Sequence, residues 1–351
     1  MAPTQSSSAD KTGFKPKAIV KKLLVALPER SRVVLEARFG LGASAERITL
    51  EAIGKRYGIT RERVRQIENH ALAALKKSPS FAQAQDAFEE LERIIDGLGG
   101  IVCEDDLLNF MTKDKSMQNH IYFLLVLGDP FKFRKEDNEV NRCWYVDPEL
   151  AQKVDGALKS LYSGLSDEDL IPEGEMIDRF LKELQTINDK HRNEEVLRRW
   201  LAISKGIGKN PLGEWGPASS PNVKTKGVRD YAYLAVKKHG SPLHFREVST
   251  LIEKMFNRAA HVATTHNELI KDDRFVLVGR GMYALKEWGY TQGVVRDVIR
   301  EALRKSGPMT KDQIIASVLK ERHVKPGTIV VNLQNQKYFK RGKDGTFTLV
   351  K

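Results

Sequence analysis

Two threonines, Thr49 and Thr60, each precede a run of helical periodicity, and Gly58 stands just before the second run. A threonine oxygen before a helix accepts a hydrogen bond from an orphan N–H of the first turn, and glycine takes the left-handed conformation that ends a helix. The order is therefore cap, helix, tight turn, cap, helix, which is a helix-turn-helix. On the second helix, at about 100° per residue, Val64, Ile67, Ala71 and Ala74 are expected to share the inward face, whereas Arg61, Glu62, Arg65, Gln66 and Asn69 fan across the outward arc. Those outward side chains match the vocabulary of major-groove readout: Arg on guanine, Gln on adenine, Glu accepting from cytosine. A solvated helix face of mixed charge also contains Arg and Glu, so composition alone leaves both readings open. Lys55 and Arg56, late on the first helix, are candidates for phosphate contacts that weigh on all sequences alike.

Charge sharpens the choice. The 351-residue chain carries a formal net charge of +12, and cations that neutralise phosphates gain from counterion release. Residues 17–77 carry about +8, residues 85–150 about −8, residues 151–225 about −1 and residues 226–351 about +12. The two ends suit nucleic acid and the middle does not. Cys103 and Cys143 each lack a second cysteine close in sequence, so neither a CxxC zinc pair nor a disulfide framework is expected. With no long apolar run and no apolar signal segment at the N-terminus, the expectation is a cytoplasmic, nucleoid-associated protein without a membrane partner.

The fold expected is mainly α with small β-wings. Residues 1–16 read as a flexible leader, and residues 17–80 as an all-helical helix-turn-helix domain closed by Pro79, after which a helix runs from Ala82 to Ile95. Beyond it lie four units of similar order: a helix, a short break, two more helices, then a β-rich end with an aromatic. They span 85–150, 151–216 (degenerate), 226–290 and 291–351, with 217–225 as linker around Pro217-Ala218-Ser219-Ser220-Pro221. That order is the order of a winged helix, in which the hairpin is the wing. The acidic and near-neutral units read as readily as docking or spacing modules; the last two are basic enough for DNA.

The stretches Leu27–Leu41, Ile48–Gly54 and Gly58–Glu68, with Ala71, Leu72 and Leu75 behind them, closely resemble region 4 of the primary bacterial sigma factors. The resemblance implies promoter −35 recognition, with Arg61, Glu62, Arg65 and Gln66 facing bases and Thr60 near a phosphate. It also implies docking on the flap of the RNA polymerase β subunit, through the scaffold around Leu27, Val34, Leu35, Phe39 and Leu41. His70 stands where that family usually has a lysine. A second stretch, Gly240-Ser-Pro-Leu-His-Phe-Arg-Glu-Val with Arg274 to Trp288, is similar to the HARE-type winged helix, as in the delta subunit of bacterial RNA polymerase. His244 within it reads as a residue at the start of a helix or in a core rather than as a ligand.

No Gly-rich phosphate loop, metal-ligand spacing or nucleophile elbow is present, so no enzyme activity, cofactor, metal or small-molecule substrate is expected. Nothing in the sequence resembles the melting module of a complete sigma factor, so opening of promoter DNA by this chain alone is not expected. The leading expectation is a transcription factor that binds promoter or operator DNA and docks on polymerase core. A polymerase-docking adaptor with little base reading, and a DNA-targeting partner of a restriction or defence nuclease, are the alternatives.

Overall fold

Pro16 supplies a preset φ at the start of the first helix, where its missing N–H costs nothing. From there α1 (Pro16–Val25), α2 (Glu29–Phe39), α3 (Leu50–Tyr57) and α4 (Arg61–Lys76) follow in short order. Pro79 does not simply close this series. It begins a further turn, α5 (Pro79–Ala82), because Ser78 caps it, with its Oγ accepting from the Phe81 N–H. The next helix, α6 (Gln85–Gly97), consequently starts at Gln85 and not at Ala82. The computed structural model describes residues 13–184, 187–290 and 293–350, so most of the expected leader lies outside the described residues.

The chain divides into two units, Met1–Gly208 and Lys209–Lys351. In the first, β1 (Ile101–Cys103), α7 (Glu104–Met111), α8 (Lys115–Leu127), β2 (Lys132–Arg134) and β3 (Cys143–Tyr145) follow α6. The strands form an antiparallel sheet of order β1-β3-β2. Then come α9 (Pro148–Ser163), α10 (Glu173–Leu184), α11 (Glu194–Leu201) and β4 (Ile207–Lys209), in which the division falls.

One core runs without interruption from Val20, Leu23 and Leu27, through Leu35, Phe39 and Leu75, to Leu124 and Trp144. Residues 17–80 and 85–150, read from sequence as separate domains, therefore share a core. Their opposite charges meet at its rim, where Lys17 pairs with Asp114 and Lys76 with Asp129. Asn119 of α8 is fully buried. Its Nδ2 donates to the carbonyls of Gly40 (3.0 Å) and Ala45 (2.8 Å), and its Oδ1 accepts from Arg47 Nε at 2.8 Å. Gly40 is left-handed (φ 64°), and a Cβ there would stand 2.6 Å from Asn119 Nδ2. The end of α2 is thereby fixed on α8, and Arg47 lies over the Tyr122 ring, 3.9 Å from its centroid.

The second unit holds β5 (Trp215–Pro217), α12 (Val228–His239), β6 (Leu243–His244), α13 (Phe245–Phe256), α14 (Val262–Lys271), β7 (Phe275–Gly279) and β8 (Met282–Leu285). After these come α15 (Val295–Ser306), β9 (Met309–Thr310), α16 (Lys311–Glu321), α17 (Pro326–Leu333), β10 (Phe339–Arg341) and β11 (Thr346–Leu349). Both stretches repeat the order of 85–150, and in each the short first strand pairs with the second strand of the hairpin: β6-β8-β7 and β9-β11-β10. His244 caps α13, accepting from the Arg246 N–H, while Glu247 accepts from the His244 N–H. The segment 217–225 is not a free linker. Ser220, Asn222 and Val223 are buried, and Arg274, which also pairs with Asp230 and Asp272, donates to Asn222 Oδ1 at 2.8 Å. Its Pro and Ser content reflects tight turns, not mobility. Among the described residues no helix is long and apolar enough to cross a membrane.

Candidate nucleic-acid interface

Helix α3 is capped by Thr49, whose Oγ1 accepts from the Ala52 N–H at 3.2 Å, and α4 by Thr60, whose Oγ1 accepts from the Arg63 N–H at 3.1 Å. Gly58 between them is left-handed (φ 65°), and its N–H closes α3 on the Gly54 carbonyl. Gly54 is required for a different reason: a Cβ there would stand 2.6 Å from the Ile59 carbonyl oxygen. The turn thus lies directly against α3. Ile53 and Val64 are fully buried and pack with Val34, and Ile48, Leu50, Ile59 and Ile67 surround them.

Along α4 the buried line is Val64, Ala71 and Leu75, with Ile67 half-buried. Ala74, expected inward, is exposed, because at about 100° per residue Leu75 stands almost above Val64 and Ala74 is turned well aside. Arg61, Glu62, Arg65, Gln66 and Asn69 are all exposed on the outward arc. Two pairs order this face. Arg65 binds Glu62 through both Nε (2.9 Å) and Nη2 (2.7 Å), and Arg63 Nη1 donates to Gln66 Oε1 at 3.1 Å. The hydrogen bond from Arg65 holds the Glu62 carboxyl below its ordinary range, and the same bond raises the Arg65 guanidinium. The pair therefore stays ionised, and both side chains remain open to a ligand.

Lys55 is paired with Glu51 at 3.0 Å, whereas Arg56 is exposed beside Tyr57. Thr60 spends one acceptor lone pair on its cap and keeps its hydroxyl proton for a donor role. A cleft of about 600 Å³ runs between α3, the turn and α4, and is lined by Lys55, Thr60, Arg61 and Arg63 among others. A second hollow, of about 550 Å³, lies on the α2 side of α4 and is lined by Arg30, Ser31, Arg63, Gln66 and His70. Sequence reasoning left out Arg30 and Arg63. The sequence signal for Arg63 was its place one residue from Glu62 and three from Gln66, which allows it to hold the latter.

The scaffold residues are placed differently from the expectation. Leu27, Leu35 and Phe39 are buried in the large core, Val34 is buried in the small core, and Leu41 packs half-buried against the large one. Phe39 meets Tyr122 and Phe123 of α8 at ring-centroid distances of 6.1 and 5.1 Å. Leu27, Val34, Leu35 and Phe39 thus shape the module from inside and offer no surface to a partner, and Leu41 alone of the five stays partly exposed.

The capped helix pair, its left-handed turn and the polar outer face define a helix-turn-helix module. Residues 23–77 match the family described as Sigma-70, region 4. The chain is similar to the RNA polymerase principal sigma factor HrdD of Streptomyces viridifaciens, 47% identical over 55 residues, 16% of each chain. It is also similar to the sigma factor RpoD of Helicobacter pylori, 45% identical over 67 residues, which is 19% of this chain and 10% of that one. The sigma factor RpoS of Coxiella burnetii is 51% identical over 57 residues, again 16% of each. The chain thus spans a sixth or less of these three relatives. The helix-turn-helix thus lies in the stretch that matches sigma-70 region 4, and that match covers residues 23–77.

Proposed function

We propose that this protein is a sequence-specific, double-stranded DNA-binding transcription factor that reads a −35-type promoter element with α4 and associates with RNA polymerase. The observation that carries the reading is α4 itself. It is capped by Thr60, backed by a packed core and exposed at Arg61, Glu62, Arg65 and Gln66, within the stretch that matches region 4. Arg56 and the Thr60 hydroxyl then bind phosphate, with Lys55 joining them once it leaves Glu51. Polymerase association goes to the surface that Leu27, Val34, Leu35, Phe39 and Leu41 support, not to those side chains.

The three α-β-α-α-β-β stretches with a common strand order support the tandem winged-helix part of the proposal. Residues 226–290, with Gly279-Arg280-Gly281 at the hairpin tip, are its HARE-type member. On this reading the protein acts by binding in the cytoplasm, with no catalytic step, cofactor or metal. Selection of bound sites from random duplexes by the full chain tests it. A defined site is expected, and Arg65→Ala is expected to lower affinity for that site by roughly one to two orders of magnitude while changing random-duplex binding far less. Equal losses on both would leave the adaptor reading in its place. Retention of core polymerase by the full chain tests the association.

A further inference from the structure

We infer that the β10–β11 hairpin and the adjoining face of α17 form a second duplex-DNA contact, one that grips phosphates, reads no base and works independently of α4. Residues 293–350 contain twelve Lys and Arg against five Asp and Glu. Four of the cations, Lys337, Lys340, Arg341 and Lys343, fall within seven residues at the hairpin. Lys340, Arg341 and Lys343 are exposed, and among the described residues none of the three has a carboxylate within ion-pairing distance. Three of the five acids are engaged with other groups: Asp297 caps α15, Glu301 pairs with Arg304, and Asp344, within the hairpin, is held by the N–H and hydroxyl of Thr346. In the first unit, by contrast, Lys55, Arg65, Lys76, Arg142 and Arg198 are all matched by acids.

Cations left unmatched on an exposed hairpin repel one another, and a polyanion removes that repulsion while releasing its own counterions. The neighbouring surface permits a close approach. Helix α17 carries no charged residue; its exposed positions are Pro326, Gly327, Thr328 and Val331, and Gln334 and Asn335 are exposed just beyond its end. Between it and the hairpin lies a groove of about 820 Å³, lined by Lys311, Gln334, Gln336, Lys340 and Arg341 and by no acid. A neutral, hydrogen-bonding helix beside a basic hairpin fits a phosphate backbone. The groove also carries apolar lining, Val330, Leu333, Phe339, Phe347 and Val350, but its charge is all basic, from Lys311, Lys340 and Arg341, which is the balance a phosphate backbone meets.

The test measures anisotropy of a labelled random-sequence duplex with the full chain across a salt series. The Lys340→Ala/Arg341→Ala/Lys343→Ala variant is expected to lower the slope of log K against log salt by about 2 to 3, since each phosphate contact contributes about 0.9. Its preference for a selected site over random DNA is expected to stay unchanged. The Arg61→Ala/Arg65→Ala variant is expected to behave the other way, losing preference while keeping the hairpin's share of the slope; this separates failure here from failure of the base-reading role. A Lys340→Arg/Lys343→Arg variant keeps the charge and is expected to keep the slope. Wild-type slope and affinity in the triple alanine variant would overturn the inference, as would loss of the slope in the arginine variant. A loss confined to duplex RNA or heparin, with DNA binding unaffected, would overturn the assignment to DNA.

Discussion

Glu62 and Arg65 hold each other in the free protein, so the outward face of α4, base-facing on the proposed reading, is ordered before any ligand arrives. An arginine fork already bound to a carboxylate must exchange that partner for a guanine edge, or keep it and present the pair together. The exchange is easy because both groups are in water, where such pairs contribute little. Cys103 and Cys143 are a second residue-scale pair, one that distance in sequence conceals. Forty residues apart, they read as solitary thiols, yet they are register partners on β1 and β3. Both are free and buried. Hydrogen bonding to Cys103, and then burial, push the Cys143 thiol far up. A folded-state value raised above the unfolded one gives a stabilising contribution that is complete below the unfolded pKa, about 8.5, and is lost as pH rises beyond it. Native protein at pH 8 is therefore expected to leave the Cys143 thiol unreactive toward an aromatic disulfide reagent until denaturant is added. Between pH 7.5 and 9.5 the denaturation midpoint is expected to fall, and the Cys103→Ala/Cys143→Ala variant should fall less. A native Cys143 thiol that reacts at once would contradict this placement.

At the scale of the element, the helix-turn-helix was legible because its signals are local: Thr49, Gly58 and Thr60 act on their own neighbours. The position of Leu75 in the core was less so, because Ala74 and Leu75 are both apolar and only the packing of α4 on its neighbours separates them. Pro79 shows the same limit, since a proline that bars one helix can begin the next. The role of Gly54 lay outside sequence reasoning, as it depends on how near the turn passes. Gly54→Ala is expected to destabilise the first unit by about 1 to 3 kcal/mol, the usual cost of overpacking, because the atom in the way is a backbone carbonyl that cannot rotate aside. It is expected to weaken site-specific DNA binding as well, by shifting α4 against α3. Thr60→Ala removes one cap and is expected to cost about 1 kcal/mol with a smaller effect on binding. Thermal melts of the two variants rank them, and a Gly54→Ala protein as stable as wild type would show that the turn can yield.

Across the whole molecule, the division into units was the part least legible in sequence. A change from +8 to −8 near residue 80 looks like a domain boundary, but opposite charges on adjoining segments are also what lets them pack, as Lys17–Asp114 and Lys76–Asp129 do. Long-range burial decided the matter, and no local pattern reports it. Residues 17–80 alone would lose α8 and α6, leaving Leu23, Leu24, Leu27, Leu35, Phe39 and Leu75 without much of their cover. Full burial of one such side chain is worth about 1.5–3 kcal/mol, and a domain has only about 5–15 kcal/mol of stability in total. Losing even part of that cover for six of them approaches the whole. Deletion would also leave the carbonyls of Gly40 and Ala45 and the Nε of Arg47 without Asn119. A fragment of residues 17–80 is therefore expected to lack a cooperative thermal transition and to bind DNA without preference, whereas residues 1–208 are expected to unfold cooperatively and to keep the preference of the full chain. Circular dichroism melts and site-selection assays on the two fragments check both halves. A cooperative transition in 17–80 would mean that the small core of Val34, Ile53 and Val64 suffices by itself and that α8 is only an accessory to it.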